Sequence, residues 1–232
     1  MKVKYVFAAL ALFGLNQVIA QNNCSAFYPM EKGAMYQYEH YNKKGKVEGT
    51  TSYEVVDVNT TGSETFASMK LEYQDNKGKE GFDTNYKITC TGDGVKIDFE
   101  SLFPSQMRQQ YENMDIQMDM SGTDIELPNT LTVGQTLKDA NVTVNMDMGA
   151  MSMKINVDTT DRSVAAKESV TTAAGTFDCY LITEKTKSKV MMANSEFSNK
   201  LWLAEGVGVV KQESYNKNGK LMSSMVLSKF SK

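Results

Sequence analysis

Apolar and polar residues alternate one for one along most of this chain, and a period of two belongs to strands, not helices. Ala67, Met69, Leu71 and Tyr73 alternate with Ser68, Lys70 and Glu72. Met114, Ile116, Met118 and Met120 alternate with Asp115, Gln117 and Asp119. Val142, Val144, Met146 and Met148 interleave with Thr143, Asn145 and Asp147, and Met151, Met153, Ile155 and Val157 repeat the scheme. Each run makes one apolar and one wet face, which suits antiparallel pairing over a core better than a parallel sheet covered on both sides. The turns agree. Asn42-Lys43-Lys44-Gly45, Asn76-Lys77-Gly78, Gly92-Asp93-Gly94 and Asn216-Lys217-Asn218-Gly219 place glycine where a tight hairpin asks for positive φ.

The expected fold class is therefore all-β: a curved antiparallel sheet of about eleven strands, because a sheet that wide curls or closes. An open half-barrel is the first expectation, a closed barrel the second and a β-sandwich the third. One short helix is expected near 104–113, where Pro104 and Ser105 precede a Gln-, Met- and Arg-rich stretch with Met107 and Tyr111 at helical spacing. The echo between residues 39–47 and 213–221 reads as shared hairpin chemistry, since a solenoid needs sustained repeats.

Lys2 and Lys4, an apolar run from Val6 to Leu15, and Val18-Ile19-Ala20 read as a secretory signal over residues 1–20. Gln21-Asn22-Asn23 before Cys24 leaves no small-residue box for lipid attachment. Residues 21–232 then form a single β-rich domain, with no later segment long and apolar enough to read as a transmembrane helix. Its expected place is exported: periplasm, outer-membrane-associated or extracellular. The length of 232 residues supports one core. A net charge of −3, which becomes −5 without Lys2 and Lys4, disfavours nucleic acid as a partner. In an oxidising compartment Cys24, Cys90 and Cys179 allow at most one internal bridge, with three pairings open. Cys90 and Cys179 both fall on apolar strand faces and also suit plain buried thiols.

Catalytic constellations are sparse. The chain has one histidine, His40, and no nucleophile elbow, zinc-binding helix motif or phosphate loop. The acids Asp115, Asp119, Glu126 and Asp147 fall mostly on wet faces, and Asp57, Asp158 and Asp161 read as strand-end or loop acids. Methionine stands out, with 16 in all and eight between Met107 and Met153. Flexible thioether side chains fill irregular interiors or make adaptable apolar surfaces. They also suit Cu(I), for which Met146, Met148, Met151 and Met153 are the candidate ligands. Lys43, Lys44, Lys46, Lys77, Lys79, Lys217 and Lys220 crowd hairpin tips. They make a basic rim for anionic headgroups if those tips share one end of the sheet, or simply keep turns soluble.

Four blocks carry a resemblance. They are Tyr28-Pro29-Met30-Glu31-Lys32-Gly33 with Tyr36 and Tyr38; Leu127-Pro128 with Val133-Gly134-Gln135-Thr136-Leu137; Thr172-Ala173-Ala174-Gly175-Thr176-Phe177-Asp178-Cys179-Tyr180; and Trp202-Leu203-Ala204-Glu205-Gly206-Val207-Gly208-Val209-Val210-Lys211. In this order they resemble the secreted Bacteroidota proteins called TapB-like, related to domain-of-unknown-function family 3108, over about residues 24–230. The resemblance implies a secreted β-rich protein. Its wider relatives are curved, LolA-like half-barrels of the envelope that carry lipid or lipoprotein. It brings no catalytic residues.

The functional expectation is a non-enzymatic envelope protein without a cofactor, burying a lipid or other apolar ligand on the concave face. The candidate lining is Met69, Leu71, Met118, Met120, Val144, Met146, Ile155 and Leu181. The alternatives are an interaction module with a fully packed interior and, third, methionine-based Cu(I) binding. Mass spectrometry of the exported protein is expected to find a mature N-terminus at Gln21; an N-terminus still carrying Lys2 and Lys4 refutes the signal reading.

Overall fold

The computed structural model describes residues 24–97, 117–147, 149, 152–190 and 193–232. Thirteen strands are present among them: β1 (Met35–Asn42), β2 (Val47–Thr61), β3 (Glu64–Asp75), β4 (Glu80–Cys90), β5 (Gly94–Ile97), β6 (Gln117–Gly122), β7 (Ile125–Pro128), β8 (Ala140–Asp147), β9 (Ser152–Thr172), β10 (Gly175–Val190), β11 (Ala193–Ala204), β12 (Gly208–Asn216) and β13 (Leu221–Ser231). All lie in one antiparallel sheet in the order β6-β8-β9-β10-β11-β12-β13-β1-β2-β3-β4-β5-β7. The sheet is curved and unclosed, as the half-barrel expectation had it. The strand count exceeds the expected eleven partly because β5 and β7 hold four residues each, too few to print a period. The expected helix at 104–113 lies outside the described residues.

The order of the strands holds a constraint that alternation does not reveal. β6 and β7 are neighbours in sequence, separated only by Thr123 and Asp124, yet they occupy opposite edges of the sheet. Three Cα–Cα steps reach at most about 11 Å, so the two edges are drawn together where the chain passes from Gly122 to Ile125. The segment after β7 closes much of the remaining gap. Gly134 N donates to Val164 O, Val164 N to Gln135 O, and Leu137 N to Arg162 O, each at 2.8–2.9 Å.

The last stitch is a side chain. In the β9–β10 ladder Thr160 faces Lys185 and Ser163 faces Thr183, so Asp161 and Arg162 together oppose Glu184. That is a β-bulge, and Asp161 occupies it with φ of 54°, the one positive-φ residue besides glycine among the described residues. The extra residue switches which parity faces the core: Met153 and Ile155 pack inward before it, Arg162 and Val164 after it. Asp161 is thus not the strand-end acid expected from sequence but the pivot of a long strand; Asp57 and Asp158 also lie within strands β2 and β9. Turned inward, Arg162 is 3% exposed. Its Nη1 donates to Lys138 O at 2.6 Å and Glu126 O at 3.2 Å, and its Nε to Glu184 at 3.3 Å. One guanidinium joins β9, β10, β7 and the segment behind it.

At one end the barrel is plugged by residues 24–28. Phe27 is 1% exposed and meets Tyr180 edge-on, centroids 6.0 Å apart. Asn129 clamps the plug: its amide donates to Cys24 O and Gly92 O, and its oxygen accepts from Ala26 N. Gly206 N donates to Ala26 O. A side chain at Gly208 would place Cβ 2.9 Å from the Tyr28 ring, at a φ of +93°, so glycine is required there. Of the open cysteine pairings, Cys24–Cys90 is the one formed, across 66 residues. By chain entropy such a loop stabilises by about 4 kcal/mol. Cys179 is free and buried, and burial pushes its thiol up to about 11, with Asp178 and Glu168 adding to the shift.

Arg162→Ala is expected to destabilise the fold by about 3–5 kcal/mol, because it strands the Glu184 carboxylate and two carbonyls in the interior. Urea unfolding measures this; a loss below about 1 kcal/mol would mean that the edges hold without the guanidinium.

Candidate functional site

The inner face changes character along each strand. On β2 it runs Val55, Tyr53, Thr51 from the plugged end outward; on β11 it runs Leu203, Leu201, Asn199; on β12 it runs Val210, Gln212, Ser214. On β1 Tyr36 and Tyr38 give way to His40. The plugged end is therefore apolar and the other end polar.

Between them lies a cavity of about 320 Å³. Five tyrosines border it, Tyr28, Tyr36, Tyr38, Tyr53 and Tyr86, with Met69, Leu71, Ile182, Leu201, Leu203 and Met225 among the aliphatic residues. Tyr38, Tyr53 and Tyr86 form a chain of edge-to-face rings, with centroids 5.6 and 5.9 Å apart. Burial raises all five phenols; Tyr28 and Tyr53 reach about 12. Each therefore remains protonated at neutral pH and offers a donor. Tyr38 spends its donor on Val209 O at 2.8 Å, while Tyr36 Oη is sealed from solvent without a partner among the described residues. Tyr53 and Tyr86 make no hydrogen bond to protein among the described residues, and both border the open volume.

The cavity wall also holds the Arg162–Glu184 pair. Burial raises the Glu184 carboxyl, opposed by the Arg162 guanidinium. A polar belt continues from there: Asn199 donates to Thr186 at 2.8 Å and accepts from Ser214 at 2.9 Å. A second cavity of about 290 Å³ adjoins the first through the shared residues Gln212 and Met225. Its other walls are polar: His40, Tyr41, Glu48, Tyr73, Ser214, Ser223 and Ser224. His40 sits 2.6 Å from the Thr51 hydroxyl and stacks edge-on against Tyr73. The two cavities make an apolar chamber with a polar mouth.

The sequence candidates divide between two places. Met69 and Leu71 line the chamber. Leu181 packs against the main core but is not part of the chamber wall. Met118, Met120, Val144, Met146 and Ile155 form a separate cluster at the β6–β8–β9 edge. Of the copper candidates, Met146 stands opposite Met153 in the β8–β9 ladder, while Met148 and Met151 lie outside the described residues. Sequence reasoning missed the tyrosines as a set, and it missed Arg162 and Glu184. The available signal was Asp161-Arg162 inside a long alternating run whose parity changes there.

A β half-barrel with an internal chamber defines the class. Residues 31–227 match the DUF3108-like family model, and the chain belongs to that family. It is similar to a putative exported protein with a YmcC-like fold from Bacteroides fragilis NCTC 9343, at 20% identity and a TM-score of 0.71 over 90% of this chain and 100% of that one. It is likewise similar to a putative lipoprotein from Parabacteroides distasonis ATCC 8503, at 24% identity and a TM-score of 0.72 over the same shares. These likenesses carry the fold. No curated protein matches the chain. No helix among the described residues is long and apolar enough to cross a membrane.

Burial lowers the His40 imidazole from its usual 6.5, with Glu48 opposing. The folded protein then binds this proton less readily than the unfolded chain, so stability is held above pH 6.5 and lost as pH falls through the lowered value. As the chain's single histidine, His40 gives one ring signal in NMR, whose midpoint is expected below 6.5; a midpoint above 6.5 contradicts the buried mouth.

Proposed function

We propose that this is an exported, non-catalytic protein that holds a single-chain amphipathic molecule, lipid-like in chemistry, with its apolar part in the tyrosine-lined chamber and its polar part at the His40 mouth. The observation that carries the reading is the chamber itself: about 320 Å³, apolar at its base, with unengaged tyrosine hydroxyls on its wall. That volume lies within the usual range of small-molecule sites. An acyl chain burying about ten methylenes gains roughly 8 kcal/mol before association costs, so the polar contacts at the mouth must supply part of the net affinity. The chamber weighs against a module with a fully packed interior. Export is supported by the signal-like N-terminal run, by a Cys24–Cys90 bridge that needs an oxidising compartment, and by the description of the Bacteroides relative as putatively exported. The description of the Parabacteroides relative as a putative lipoprotein also supports export.

Native mass spectrometry of the purified protein is expected to find a bound amphiphile, or to load one when a C12–C18 fatty acid or lysophospholipid is offered. Met69→Trp fills the chamber and is expected to weaken loading at least tenfold while leaving thermal stability within a few degrees. A protein that arrives empty and ignores both ligand types sinks the reading.

A further inference from the structure

The seven tip lysines do share one end of the sheet. The β1–β2, β3–β4 and β12–β13 hairpins lie side by side, because β13 pairs with β1 and β2 with β3. All three turns are built alike. Asn42, Asp75 and Asn216 each accept two backbone N–H groups of their own loop, two and four residues on, and Gly45, Gly78 and Gly219 supply the positive φ. Neighbouring tips are also tied together: Asn76 N donates to Glu48 O at 3.0 Å. The result is a rigid comb that presents Lys43, Lys44 and Lys46 on one tooth, Lys77 and Lys79 on the next, and Lys217 and Lys220 on the third, all exposed.

Three observations set this comb apart from ordinary soluble turns. Among the described residues none of the seven lysines forms an ion pair, whereas Lys70, Lys138, Lys185 and Lys211 each do. Of the acids nearby, Asp75 holds its turn, Glu39 accepts from Tyr41, and Glu213 accepts from Tyr215 and pairs with Lys211, which leaves Glu48 as the exposed acid set among the lysines. Two of the four large hydrophobic residues that stand exposed among the described ones, Val47 at 39% and Met222 at 37%, flank these same tips. The concentration of positive charge stands against a chain of net −3. It is also one-sided, since Asp119 and Asp147 lie exposed on the β6–β8 side of the sheet.

We propose that this comb docks the protein onto an anionic lipid surface, the lysines meeting headgroup phosphates and Val47 and Met222 entering the headgroup layer. Clustered lysines with an apolar flank fit a polyanionic plane, and each lysine near such a surface is worth about a fivefold gain in binding. The inference stands on the hairpins alone and does not need the chamber to hold a ligand.

The test is sedimentation of the purified protein with vesicles of phosphatidylcholine alone or with 30 mol% phosphatidylglycerol. Binding is expected only to the anionic vesicles and is expected to fade as salt rises from 0.05 to 0.5 M, because the charges are exposed. Lys43→Glu, Lys44→Glu, Lys77→Glu and Lys217→Glu together are expected to weaken it on the order of 100-fold or more. Reversing Lys32 and Lys229, exposed lysines away from the tips, is expected to cost under about tenfold. Val47→Ser with Met222→Ser keeps the charge and is expected to weaken binding about tenfold. Circular dichroism confirms that each variant folds. Absence of binding to anionic vesicles at low salt, an equal loss from both sets of reversals, or capture of a polyglutamate peptide without vesicle binding overturns the proposal.

Discussion

The curled sheet depends on one buried guanidinium. Hairpins are joined through local turns, but among the described residues the two edges of this sheet meet where β6 hands over to β7, and the ladder leaves a gap between β7 and β9. Arg162 spans it. Its planar fork reaches a carboxylate and two carbonyls from three different segments, a geometry that the single ammonium of lysine does not reproduce. The Asp161 bulge is what aims it. A regular strand would continue the odd-residue face of Met153 and Ile155 and turn Arg162 to solvent.

The same curling gives the interior its gradient. Inner positions near the Cys24–Cys90 plug are apolar and tightly packed, and those near the lysine tips are hydroxyl, amide and imidazole groups. Tyrosine sits at the boundary, where its ring faces a core and its hydroxyl a wet space. The four blocks that carry the family resemblance converge on the plugged end: Phe27 beside Tyr28 meets Tyr180, Ala26 accepts from Gly206, and Asn129 after Leu127-Pro128 holds Cys24 and Ala26. Their shared task is to shut the barrel, which leaves the rim and chamber as the parts with chemistry to spare.

How far the site was legible follows from what each residue needed. Met69 and Leu71 reached the chamber because a regular β3 presents every second residue inward and β3 lies between β2 and β4, whose Tyr53 and Tyr86 border the same space. Met118, Met120, Val144, Met146 and Ile155 satisfy the same local rule, yet they lie at the β6–β8–β9 edge, beyond the bulge, and pack into their own cluster. Alternation says which residues share a face; it carries no information about which strands face one another across the interior. The cysteines show the same limit. Cys90 and Cys179 both read as inward positions and both are buried, but only the fold brings Cys24 alongside Cys90.

By itself the sequence determined the all-β class, the antiparallel hairpins, the export-like N-terminal segment and the inward or outward sense of most strand residues. These follow from local rules: side-chain period, turn chemistry and short-range composition. Only the tertiary structure decided where the edges meet, which methionines line the chamber, that five tyrosines surround it, and that seven lysines from three hairpins stand on one rim. Those outcomes depend on strand order and register between residues up to about two hundred positions apart, such as Met35 opposite Ser231, and no local pattern encodes a contact over that distance.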